Sequence, residues 1–185
     1  MKKLALAVAA LAVSLPARAG KVAGVDFADT ADVAGQALKL NGAGLRKKLF
    51  IKVYAGGLYL AAPSADPKAI VDSDAPKRVR MVFLRDVSKK QILEAYKEGF
   101  EKNSAGPGLA GLVAKLDLLA PGLADMKEGS EMLVTYVPGQ GTTVSAAGGS
   151  PVTVEGKDFA DALLRNWLGE KPADGDLKEA MLGKK

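Results

Sequence analysis

Histidine and cysteine are both absent from the 185 residues, so any chemistry falls to Arg, Lys, Tyr, Ser, Thr, Asn and carboxylates. Disulfides, thiolate nucleophiles, Ser-His-Asp triads and the usual zinc and haem ligand sets are excluded. A guanidinium and phenols remain, a pairing suited to holding an anion or stabilising an enolate rather than to shuttling protons. No metal and no cofactor is expected. Arg46, beside Lys47 and Lys48, taken alone reads as a strand-end cation in solvent. The letters G-x-G-x-x-G occur at Gly106–Gly111. A dinucleotide fingerprint needs a strand before it, whereas here a helical segment precedes and Pro107 removes an amide that could face a phosphate.

The net charge of +5 raises the question of nucleic acid. Met1-Lys2-Lys3, an apolar run from Leu4 to Val13 and the Pro16-Ala17-Arg18-Ala19 end form an n-region, an h-region and an Ala-x-Ala site. The run is shorter than the roughly 20 residues of a membrane span, so residues 1–19 read as a signal peptide cleaved after Ala19. Cleavage removes Lys2, Lys3 and Arg18 and leaves +2 on residues 20–185. The lysine pairs 47-48, 89-90 and 184-185 lack interleaved aromatics, and acidic stretches offset them. Nucleic acid is therefore not an expected partner. The membrane is expected only during export, and the protein is placed in the periplasm or outside the cell. The chain has 48% apolar residues, no internal repeat and no long linker. One domain, residues 20–185, is expected.

Several elements can be read from pattern. A first strand is expected around Val22–Phe27. Ala37–Leu40 begins a second stretch that Asn41-Gly42 and Gly44 break or bulge, and Leu49–Leu60 reads as a long strand with both faces apolar. Phe50, Lys52, Tyr54, Leu58 and Leu60 share one face of it. Gly56-Gly57 should admit a bend or a close neighbour. Asp66-Pro67 opens a short helix. Lys77–Leu84 is a strand, and Ser88-x-x-Gln91 is a capping box for a helix with Ile92, Tyr96 and Phe100 on its buried face. A helix over Leu109–Leu119, strands over Glu131–Val137, Thr142–Ala146 and Val152–Glu155, a helix presenting Phe159, Leu163, Leu164, Trp167 and Leu168, and a last helix over Asp176–Leu182 complete the chain. Strands and helices do not alternate regularly, so the expected class is α+β with a largely antiparallel sheet.

Leu40-Asn-Gly-Ala-Gly-Leu-Arg46, followed by Phe50-Ile-Lys-Val-Tyr-Ala-Gly-Gly-Leu-Tyr-Leu60, resembles the chalcone isomerase family. The order of the later elements, through Phe159–Gly169, is similar too, and the likeness is greatest to the exported bacterial chalcone isomerase-like group. The resemblance implies an open-faced β-sandwich with helices on one face and a ligand cleft between. In the isomerases a guanidinium, a threonine and a tyrosine stabilise enolate charge while a flavanone ring closes; fatty-acid-binding members use the same arginine for a carboxylate. Arg46 matches that arginine, and Tyr54 falls at the threonine. The helix tyrosine falls near Gln91, the family's lysine and asparagine fall on Glu94 and Glu98, and Asn166 and Trp167 match the last cleft-lining pair.

Arg46 and Tyr54 are accordingly the candidate catalytic residues. Arg46, Tyr54, Gln91, Asn166 and Trp167 are the candidate ligand-binding residues. The expected function is binding of a small hydrophobic ligand, a carboxylate such as a fatty acid, in a sheet-helix cleft. An intramolecular lyase acting on a flavonoid-like unsaturated ketone is the alternative, and a non-catalytic envelope interaction protein is the third. A cleft filled by Tyr54 and Trp167 would favour the third.

Overall fold

The computed structural model describes residues 18–104 and 106–185. Of the export segment expected over residues 1–19, residues 1–17 lie outside the described residues. Arg18 and Ala19 begin β1 (Arg18–Val22).

The region expected to hold one strand around Val22–Phe27 is a hairpin of β1 and β2 (Val25–Ala28). Its turn is Ala23-Gly24, both with positive φ, and Ala34-Gly35 repeats the device between β3 (Thr30–Val33) and β4 (Gln36–Lys48). Paired positive φ is the turn whose twist matches that of the strands it joins. Alanine in the first turn position is a weak sequence signal for it, so neither turn is legible from residue types alone. Asn41-Gly42 and Gly44 do not break β4. The register shifts between Leu40 and Gly42, and the strand continues to Lys48. The expected strand Leu49–Leu60 is shorter: Leu49-Phe50 is a two-residue turn, and β5 runs Ile51–Leu60. Phe50 is therefore at a hairpin tip and not on the Tyr54 face.

β6 (Lys77–Phe83), β7 (Glu131–Val137), β8 (Gly141–Ala146) and β9 (Val152–Val154) extend the sheet. The seven strands β3 to β9 lie in sequence order, each antiparallel to the next. This is the α+β, largely antiparallel architecture expected. Helix α1 (Pro67–Asp72), with Asp66 accepting from the Lys68 and Ala69 amides, lies between β5 and β6. α2 (Lys89–Asn103) and α3 (Leu109–Leu119) lie between β6 and β7, so the Gly106–Gly111 letters span an interhelix connection and the start of α3. α4 (Lys157–Leu168) and α5 (Gly175–Met181) follow the sheet.

Two cores result. The larger joins one sheet face to the helices through Tyr54, Leu58, Phe83, Tyr96, Phe100, Phe159 and Trp167. The smaller lies across the sheet, where Phe27 of the β1–β2 ribbon meets Ala55 and Tyr59 of β5. Residues 53–60 are all buried, as a strand covered on both faces must be. A Cβ on Gly57 would lie 2.6 Å from the Phe27 ring, the close neighbour anticipated there.

α5 is seated on β4 because the strand has no side chain at Gly42. A Cβ there would stand 2.0 Å from the Ala180 carbonyl oxygen, a backbone atom. Gly42→Ala should therefore lower stability by about 1–3 kcal/mol through overpacking, measured by urea unfolding. An unchanged midpoint would contradict this seating of α5.

Candidate functional site

Arg46 on β4 and Tyr54 on β5 are directly paired across the antiparallel ladder, which places both side chains on one face. The Arg46 guanidinium carbon lies 5.6 Å from the Tyr54 ring centroid, in cation–π range. Just past Arg46 the register shifts again, and the Lys47 amide donates to Asp174 Oδ2 at 2.8 Å. Asp174 is also the N-cap of α5, accepting from the Leu177 amide. One carboxylate thus anchors both the end of β4 and the start of α5, and so fixes the backbone that carries Arg46.

Trp167 on α4 and Tyr96 on α2 approach from the helical side. The Trp167 Nε1–H donates to the Tyr54 hydroxyl oxygen at 2.8 Å, and both residues are buried. The Tyr96 ring meets the Trp167 indole edge to face at 5.9 Å, and Phe83 lies 5.8 Å from the Tyr54 ring. Four aromatic rings therefore fill the space between sheet and helices beside Arg46.

The polar atoms around this cluster are not all matched. Arg46 Nε and the Tyr96 hydroxyl are buried with no hydrogen-bond partner among the described residues. Among the ion pairs of the described residues none involves Arg46. An unpaired buried donor costs about 1–3 kcal/mol, and more when charged. Burial raises the Tyr54 phenol above its ordinary pKa, against the opposing pull of Arg46 and Trp167. Burial does the same to Tyr96, reinforced by Tyr54 and opposed by Arg46. Both phenols therefore keep their protons, which remain available for donation. A guanidinium N–H and a phenol O–H are thus left without acceptors, and these are the donor types that pair with planar oxyanions.

The other expected residues fall elsewhere. Gln91 is exposed, and its Oε1 accepts from the Ser88 amide at 2.9 Å in the capping box. It lies five residues, about 7.5 Å along the axis, before Tyr96. The helix start needed that side chain, so the correspondence with the family's tyrosine is not realised in contacts. Asn166 is buried, but its Nδ2 donates to the Leu163 carbonyl at 2.9 Å. Its other end rests on α2, where a Cβ on Gly99 would come within 1.7 Å of Asn166 Oδ1. Asn166 is a helix-packing residue rather than a cleft lining. Glu94 and Glu98 are exposed and paired with Lys90 and Lys102 at 3.9 and 2.6 Å. The Glu98 carboxyl is held low chiefly by Lys102, with lesser pulls from Lys48 and Arg46. The carboxylates thus occupy a solvated, lysine-matched face and are not aimed into the core.

Tyr96 reads in the sequence as a core residue alone, and its unmatched hydroxyl is visible only in the fold. The available signal was a polar-tipped aromatic on an otherwise apolar stripe. Two recesses lie away from this site. One of about 20 Å³ is bordered by Lys77, Tyr136 and Thr142. Another of about 340 Å³ lies on the ribbon side between Tyr59, Arg78, Arg80 and Glu131. Neither is lined by Arg46, Tyr54, Tyr96 or Trp167.

A model of the chalcone isomerase-like family matches residues 19–183. Among solved structures, the fold is similar to that of a fatty-acid binding protein from Arabidopsis thaliana, with a TM-score of 0.65 and 19% identity, covering 86% of this chain and 92% of that one. No curated protein matches the sequence.

Two substitutions separate the phenols. Tyr54→Phe strands the buried Trp167 N–H and should cost about 1–3 kcal/mol, whereas Tyr96→Phe removes an unmatched hydroxyl and should be neutral or stabilising by up to about 1 kcal/mol. Equal losses in urea unfolding would contradict the bonding described. An unfolded tyrosine ionises near 10.0, while the folded phenols hold their protons higher. Their contribution is intact below pH 10 and is lost as pH rises further. Tyr96→Phe should flatten that alkaline fall, followed as the unfolding midpoint between about pH 9 and 11.

Proposed function

Because the chain belongs to the chalcone isomerase-like family, we propose that it binds a small hydrophobic carboxylate, such as a fatty acid, between sheet and helices. The observation that carries this reading is Arg46: a partly buried guanidinium whose Nε has no partner, stacked on the Tyr54 phenol in the cluster that also holds the one unmatched phenol among these rings, Tyr96. The ligand carboxylate accepts from Arg46 Nε and from the Tyr96 hydroxyl. Tyr54, whose oxygen already accepts from Trp167, turns its own proton toward the same anion. The apolar tail takes the space now filled by the Trp167 and Phe83 rings, so uptake breaks the Trp167–Tyr54 bond. The fold shared with a plant fatty-acid binding protein supports the ligand class.

The same donors would stabilise an enolate, which is the lyase alternative. Its mark is an Arg46-dependent loss of chalcone absorbance above the spontaneous rate. A different observation favours a non-catalytic envelope interaction protein: the interior beside Arg46 is occupied by its own aromatic rings. We propose as well that the protein acts outside the cytoplasm. The basic start, apolar run and Ala-x-Ala end of residues 1–19 support release after Ala19.

Calorimetric titration with dodecanoate tests the ligand reading. Arg46→Ala should weaken binding at least about tenfold, the scale of a lost charge-assisted hydrogen bond, and Arg46→Lys should recover only part of it. Equal uptake by wild type and Arg46→Ala would end the carboxylate reading. No uptake by wild type would leave the interaction protein as the better account.

A further inference from the structure

The β4–β5 turn carries the two most exposed large apolar side chains among the described residues, and Ile51 at the start of β5 adjoins them. Leu49 is 86% exposed, Phe50 99% and Ile51 49%. Two-residue hairpin loops favour Asn-Gly or Asp-Gly, because the backbone needs positive φ and the tip faces water. Here Leu49 takes φ 57°, a conformation that is costly for a branched residue. A strained, water-exposed Leu-Phe tip has no role in packing this fold.

Its flanks are basic. Lys47, Lys48 and Lys52 are all exposed, and none forms an ion pair among the described residues. Asp174 receives the Lys47 backbone amide, Asp176 feels the Lys47 charge, and Glu98 feels Lys48, yet each of the last two is paired with another lysine. An apolar wedge ringed by cations matches the boundary of an anionic bilayer, where the rings and alkyl groups enter the acyl edge and the lysines meet phosphate. No described helix is long and apolar enough to cross a membrane, so contact of this kind is at the surface.

We propose that the Leu49–Phe50 tip, with Lys47, Lys48 and Lys52, docks the protein on an anionic lipid surface. This extends contact with the membrane beyond export. It stands on the tip alone and survives failure of the carboxylate reading. If both hold, docking brings Arg46, three residues before the tip, to the headgroup layer.

The chain has no cysteine, so one introduced thiol can be labelled uniquely. Full-length Ile51→Cys is labelled with a nitrobenzoxadiazole fluorophore. Gln140→Cys serves as the control, since the antiparallel register puts the β7–β8 turn at the opposite end of the sheet. With phosphatidylglycerol vesicles, the label at 51 should shift to the blue and the label at 140 should not. Phe50→Ser in the Ile51→Cys background should abolish the shift. Replacing Lys47, Lys48 and Lys52 by Gln should lower vesicle affinity at least about tenfold, as should phosphatidylcholine in place of phosphatidylglycerol. An unshifted label at 51, or equal shifts at both sites, would overturn the proposal. A shift that needs no vesicles and grows with protein concentration would assign the tip to a second copy of the chain and overturn it too.

Discussion

The hydrogen bond from Trp167 Nε1 to the Tyr54 hydroxyl, 2.8 Å long and wholly buried, sets the terms for everything around it. A buried indole N–H must find an acceptor, and the Tyr54 hydroxyl on β5 supplies it to Trp167 of α4 across the core. The bond consumes an acceptor position on Tyr54 and leaves its proton to point elsewhere. It also fixes the ring over which Arg46 stacks and the indole against which Tyr96 packs. The result is a cluster with donors in excess of acceptors, beside the end of β4.

The scaffold delivers this excess through two asymmetries. The sheet carries helices on one face and a light β-ribbon on the other, so long aromatic side chains gather on the helical side while small residues and Tyr59 face Phe27. β4 is bare at Gly42, which lets α5 lie close. Asp174 then binds the Lys47 amide and the α5 start together. Arg46 is held by backbone that two elements constrain, rather than by a side-chain partner of its own. That is the arrangement expected where the partner is to be a ligand.

What the sequence disclosed follows the range of the interactions involved. Local signals were legible: Asp66-Pro67 and Ser88-x-x-Gln91 start helices as their caps require, and the stripe Ile92, Tyr96, Phe100 is buried. The chalcone isomerase-like resemblance carried the fold and singled out Arg46 and Tyr54, which the β4–β5 register then sets opposite each other. Positions transferred by correspondence alone fared differently. Gln91 was already committed to its cap, and Asn166 to its own helix and to Gly99. The unmatched Tyr96 hydroxyl depends on what α4 and β4 bring to it from distant parts of the chain, and no local pattern encodes that. The exposed tip was hidden for a related reason. Leu49 and Phe50 look like strand residues until the pairing of Lys48 with Ile51 turns the chain.

The central claim is that an anion at Arg46 completes the donor cluster and opens the Trp167–Tyr54 bond. The chain has a single tryptophan, so its indole N–H gives one resonance in a nitrogen–proton correlation spectrum, and the Arg46 Nε–H can be assigned by Arg46→Lys. On titration with dodecanoate, both resonances should move together and saturate. If neither resonance moves while dodecanoate binds, or if only surface lysine signals respond, the site lies elsewhere and the account is wrong.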